Sequence, residues 1–202
     1  MDGLPIDEVG FVFAKSKRQV TPKDAASLVR QVSELRGAGD RTPRAVGVFV
    51  DPTLEELREV LDSVRLHVVQ LHGQEPPELC RVIRESLGVQ AWKVFGIRGG
   101  SEDKAAQDRL APYAGVIDAA MIDTAGGGTG SAFDWSVMEA YKAAAETIGV
   151  PLYVAGGLHA DNVQDLIRQY RPDGVDVSSG VETDGMKDVA KIMKFVERVT
   201  TA

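Results

Sequence analysis

The sequence has one cysteine, three histidines and no apolar run near membrane length. One cysteine excludes an internal disulfide, so the fold rests on its packed core and not on covalent staples. Cys80 lies in PPELCRVIRES, where Leu79, Val82 and Ile83 surround it at helical spacing. It therefore reads as a packed helix thiol and not as a nucleophile. His67, His72 and His159 share no ligand spacing with one another or with cysteine, and this argues against a metal centre. No segment approaches the roughly 18 apolar residues of a membrane span, and MDGLPIDEVGFVF lacks the basic start and apolar middle of a signal peptide. Positive charge is short as well: 23 Lys and Arg stand against 30 Asp and Glu, for a formal charge of -7. Nucleic acid and anionic membranes both call for a clustered positive surface, so neither is expected as a partner. A soluble cytoplasmic protein is the expectation. Also missing are a Walker loop, a dinucleotide fingerprint and a nucleophile elbow.

What is present is a regular alternation. At 202 residues and 44% hydrophobic composition the chain can bury one core, and a single domain over 1–202 is expected. Nearly continuous apolar runs fall at 8–13, 45–50, 67–73, 91–97, 116–123, 151–157 and 174–179. Such runs mark strands buried on both faces, as in parallel sheets. Amphipathic helical stretches follow each of them, from TPKDAASLVRQVSEL, with Thr21 as N-cap and Pro22 at the first helical position, to MKDVAKIMKFVERV at 186–199. Repeated βα units build a doubly wound sheet or a (β/α)8 barrel. Seven units are visible, and the chain runs from MDGLPID directly into a strand. The expected fold is an α/β (β/α)8 TIM barrel with its first βα unit missing from this chain. That would leave two open sheet edges, a template for association.

In a barrel the C-terminal strand ends form the active face. The polar residues predicted there are Lys15, Ser16 and Arg18 after the first strand, Asp51 after the second, Gln70 and His72 in the third, and Asp123 closing the fifth. Gly156 and Gly157 end the sixth, and Ser178, Ser179 and Gly180 end the seventh. Asp123 caps its loop or stands beside a bound substrate as a proton donor. Asp118, five residues back in the same predicted strand, should face the helices or the barrel bottom. The GGGTG loop at 126–130 permits close backbone approach, although glycine-rich loops alone are weak evidence. AGGL and VSSGVE are two consecutive strand ends of small residues, each followed by a helix. They reproduce the phosphate site that barrels form after their last two strands. Arg18, in the basic run KSKRQ, is a solvated charge or a bidentate partner for a carboxylate. His72 is a hydrogen-bonded structural histidine or a base.

Taken together, GFVFAKSKRQVTP, VGVFVD, VVQLHGQEPPE, Asp123, GGTGSAFDW, AGGL with ADNV, and GVDVSSGVET resemble the phosphoribosylanthranilate isomerase family of tryptophan biosynthesis. The resemblance runs in order from about Glu8 to the C-terminus. It implies a cofactor-free Amadori rearrangement of N-(5-phosphoribosyl)anthranilate to 1-(2-carboxyphenylamino)-1-deoxyribulose 5-phosphate. By the same resemblance, Asp123 is the general acid that opens the ribose ring, and Arg18 meets the anthranilate carboxylate. His72 lies near the substrate; Gly128, Gly156, Gly157, Ser178, Ser179 and Gly180 line the substrate and its phosphate. The family's first strand carries K-x-C-G, whose cysteine is the general base. This chain has no such motif, so a start upstream is expected and the chain as it stands should isomerise poorly. The partner is a small molecule, and the protein is a monomer or homodimer. The alternative is an impaired phosphate-ligand-binding barrel remnant that dimerises through its open edge.

Overall fold

The computed structural model describes residues 3–37, 41–97, 106–124 and 134–202. They group into two compact units, one up to Lys93 and one from Val94 onward.

The first unit holds β1 (Glu8–Val12), β2 (Arg44–Phe49), β3 (Val68–Leu71) and the first half of β4 (Gln90–Ile97). All pair in parallel, with registers Glu8 to Arg44, Val46 to Val68 and Val68 to Gln90. Every residue of β3 is buried, as its unbroken VVQL run requires of a strand covered on both faces. Three helices cross back between the strands: α1 (Pro22–Glu34), α2 (Leu54–Ser63) and α3 (Pro77–Ser86). Their starts are locally encoded. Thr21 Oγ1 accepts from Asp24 N at 3.1 Å, and Pro22 supplies the preset first-turn φ. Thr53 and Glu56 form a reciprocal capping box, with Glu56 N to Thr53 Oγ1 at 3.2 Å and Thr53 N to Glu56 Oε2 at 2.7 Å. Val29, Val32, Leu57, Val60 and Ile83 bury the apolar sides of these helices.

The second unit takes over the rest of β4 and adds α4 (Ala106–Leu110), β5 (Ala119–Thr124), α5 (Met138–Ile148), β6 (Leu152–Val154), α6 (Val163–Tyr170) and β7 (Gly174–Val175). Parallel registers join Ala120 to Leu152 and Tyr153 to Gly174. The strand order in the sheet is the chain order, β1 to β7, so consecutive strands are neighbours. Arg109 ties α4 to α5 by donating to the Tyr141 hydroxyl, and its other terminal nitrogen donates to Gly96 O at 3.0 Å. Gly149 ends α5 in the left-handed region at φ 73°, where it costs no Cβ clash.

Two expectations fail locally. Asp118 lies ahead of β5 and not within it, because Val116 and Ile117 are buried in the turn that precedes the strand. Met186 and Lys187 are not the start of the last helix. They form β9 (Met186–Lys187), paired antiparallel with β8 (Glu182–Thr183). Asp184 and Gly185 make the two-residue turn at φ 52° and 78°, the doubly left-handed geometry that an Asp-Gly pair favours. The helix α7 (Val189–Thr200) starts only after Asp188, whose Oδ1 accepts from Ala190 N at 2.9 Å and Lys191 N at 3.2 Å. Among the described residues no helix is long and apolar enough to cross a membrane.

Candidate active site

The candidate residues sit where strands hand over to loops, and each unit supplies its own set. In the first unit the loop after β1 closes on itself. Gln19 Nε2 donates to Phe13 O at 3.0 Å, Val20 N donates to Val12 O at 2.9 Å, and Arg18 N donates to Ser16 Oγ at 3.1 Å. Arg18 thus stands exposed near the tip of a short, internally bonded loop. His72 follows β3 directly, is half-buried, and its backbone N–H donates to Phe49 O at 2.8 Å.

Around His72 lies a buried charged network that sequence reasoning did not foresee. Glu75 and Lys93 pair at 3.0 Å, with side chains only 1% and 4% exposed. Lys93 Nζ also donates to Gly73 O at 2.9 Å and to Leu71 O at 3.4 Å. The Glu75 carboxylate accepts from Gly73 N at 3.0 Å and from Asp51 N at 2.9 Å. Asp51, at φ 46°, returns the contact by accepting from Gln74 N at 2.6 Å. Its carboxylate fills the space beside Gly73, where an added Cβ would come within 2.7 Å of Asp51 Oδ2. The signal in the sequence was Lys93 itself, a charge inside the apolar run AWKVFGI that had to find a buried partner.

In the second unit Asp123 is the penultimate residue of β5 and 7% exposed. Beside it runs the loop after β6. Ala155 N donates to Ile122 O at 2.8 Å, and Gly156 turns at φ 89° with its α-carbon against the Asp123 carboxylate. A Cβ there would stand 2.6 Å from both Asp123 Oδ1 and Thr124 N, so only glycine fits. Gly157 follows at φ 65°. Asn162 braces this loop from both sides: its Nδ2 donates to Gly157 O at 3.0 Å and its Oδ1 accepts from His159 N at 2.9 Å.

Ser179, Gly180 and Val181 form a 3-10 helical turn after β7. Gly180 packs directly on the preceding loop, since a Cβ there would overlap the Leu158 carbonyl and come 3.1 Å from His159 Cα. The loops after β6 and β7 therefore interlock. The β8–β9 hairpin then delivers a cation: Lys187 Nζ donates to Ser178 O at 2.9 Å and pairs with Glu182 at 3.0 Å. Gly128 and the GGGTG loop lie outside the described residues. Among the described residues no group of three or more His, Cys, Asp or Glu side chains could hold a metal ion. Cys80 is buried in α3, and burial pushes its thiol up to about 11.

The family model described as N-(5'phosphoribosyl)anthranilate (PRA) isomerase matches residues 3–198. An N-(5'-phosphoribosyl)anthranilate isomerase of Brevibacillus brevis is 46% identical over 200 residues, covering 97% of this chain and 85% of the relative. The phosphoribosyl anthranilate isomerase structure from Thermotoga maritima superposes with a TM-score of 0.79 at 35% identity, covering 97% of this chain and 89% of that one. A phosphoribosyl anthranilate isomerase solved with reduced 1-(o-carboxyphenylamino)-1-deoxyribulose 5-phosphate gives a TM-score of 0.77 at 34% identity, covering 97% and 88%.

Proposed function

The chain belongs to the N-(5'-phosphoribosyl)anthranilate isomerase family, and we propose that its strand-end residues bind N-(5'-phosphoribosyl)anthranilate and open its ribose ring for an Amadori rearrangement. The observation that carries this reading is the setting of Asp123. Its carboxylate ends a parallel strand, is nearly sequestered from water, and is walled by the Gly156 backbone. A carboxyl group so placed delivers its proton to the ring oxygen, the C1–O bond breaks, and the anthranilate nitrogen takes up the electron deficit as a C1 iminium. Removal of the C2 proton then gives the enolamine, which tautomerises to the ketose.

The two interlocked loops support a phosphate at the far end of the substrate. Gly156 and Gly157 present backbone at positive φ, the turn at Ser178, Ser179 and Gly180 is small enough for close approach, and Lys187 adds a positive charge against Ser178. In the first unit, the exposed Arg18 supplies a guanidinium of the kind that matches a carboxylate in two-point geometry, which supports recognition of the anthranilate group. The C2 base is a group other than Cys80, whose buried thiol holds its proton well above neutral pH.

Turnover of N-(5'-phosphoribosyl)anthranilate, followed by loss of anthranilate fluorescence, tests the proposal. Turnover that falls by about 10² to 10⁴ in Asp123→Asn supports it. Binding of the reduced product analogue without turnover would favour the impaired binding protein. Absence of both binding and turnover would refute the site assignment.

A further inference from the structure

We propose that Glu75 and Lys93 are positioning residues for His72, holding the loop after β3 in the one arrangement that aims the imidazole. The proposal rests on the reading of His72 as a substrate-side group. An ammonium has three N–H donors, and here Lys93 Nζ donates to Glu75 Oε2, Leu71 O and Gly73 O. Two of them are the carbonyls immediately before and after His72. The carboxylate works on the same short stretch from the other side, taking the Gly73 N–H and anchoring it to the Asp51 backbone at the end of β2. Asp51 completes the enclosure by binding the N–H of Gln74. Four consecutive residues, Leu71 to Gln74, thus have backbone groups pinned, and His72 lies between the two carbonyls that Lys93 holds.

Stability alone is a poor account of the pair. Replacing a buried ion pair with apolar groups of similar volume is often neutral, so an ionic pair that braces the loop around His72 and ties it to the end of β2 points to geometry and not to net folding energy. Other parts of the molecule are less informative. Cys80 is an inert helix thiol, and the exposed apolar side chains of Met186, Val189 and Met193 have nothing on them that identifies a partner.

The test uses the imidazole Cε1–Hε1 correlations in the NMR spectrum of the full chain, which has three histidines. Glu75→Gln, Lys93→Met and the double variant are compared with the parent. The single variants leave one buried charge uncompensated, so the double variant, which removes both, guards against failure to fold; circular dichroism confirms its fold. The expected result is a displaced or broadened His72 signal, while His67 and His159 stay in place. Binding of reduced 1-(o-carboxyphenylamino)-1-deoxyribulose 5-phosphate should weaken by about tenfold or more in the double variant, the scale of loss that a small misplacement causes. An unmoved His72 signal in the folded double variant, or three histidines moving alike, overturns the proposal. A moved His72 signal with parent-like binding upholds the positioning and overturns only the substrate role of His72.

Discussion

Replacing Gly156 with alanine should damage both stability and the Asp123 site, and the structure separates the two causes. The first is conformational. Gly156 sits at φ 89°, and forcing an L side chain into the left-handed region costs about 1–2 kcal/mol. The second is steric. The new methyl would lie 2.6 Å from Thr124 N and from Asp123 Oδ1, against an ordinary carbon-to-oxygen contact of about 3.3 Å. The backbone nitrogen of β5 cannot retreat without disturbing the sheet, so the overpacking adds about 1–3 kcal/mol. The sum, about 2–5 kcal/mol, lowers Tm by roughly 4–20 °C for a chain of this length. Gly88→Ala is the control, because Gly88 has φ 68° but open space around its Cβ position. It carries the conformational cost alone. Thermal unfolding followed by circular dichroism should rank the parent above Gly88→Ala and Gly88→Ala above Gly156→Ala, with analogue binding reduced only in the last. Equal Tm values for the two variants would refute the steric reasoning.

Three further outcomes follow from the same geometry. Asp123→Asn should lower turnover by about 10² to 10⁴ while leaving binding of the reduced analogue near the parent value; parent-like turnover would remove Asp123 from the chemistry. Gly180→Ala has no positive φ to relieve, so its whole effect is the clash with the Leu158 carbonyl. It should part the two loops and weaken binding of inorganic phosphate in calorimetry, and unchanged binding would place the phosphate elsewhere. Burial raises the Cys80 thiol to about 11 from an ordinary value of 9.0, so on raising the pH the unfolded chain ionises first. Its stability contribution is complete below the unfolded value and is lost as pH climbs toward the folded one, by about 1 kcal/mol between pH 8 and pH 10. Urea denaturation at those two pH values should show this slope in the parent and not in Cys80→Ala; identical slopes would contradict the assignment.

The strands were readable because parallel pairing buries both faces, which writes each one as an unbroken apolar run such as VVQL. The same property hid where β5 begins, since Val116 and Ile117 are equally apolar but lie in the preceding turn. The β8–β9 hairpin carried its Asp-Gly signal openly, yet its two-residue arms lack the alternation that marks strands. Strand-end placement of Asp123, Gly156 and His72 follows from element order alone. What links them does not: Glu75 and Lys93 stand 18 residues apart, and the contact between Gly180 and Leu158 depends on how two loops stack. Spacing encodes neighbours along a strand or helix, but contacts across loops exist only once the sheet has formed.

The buried pair of Glu75 and Lys93 also constrains how the family can change. The two charges pair with each other in the buried interior. A lineage that loses either residue first passes through an intermediate with a solitary buried charge, typically about 3–5 kcal/mol less stable than its ancestor. The two sites therefore behave in evolution as a single locus. They persist together or are exchanged together, and relatives that differ at one should differ at both.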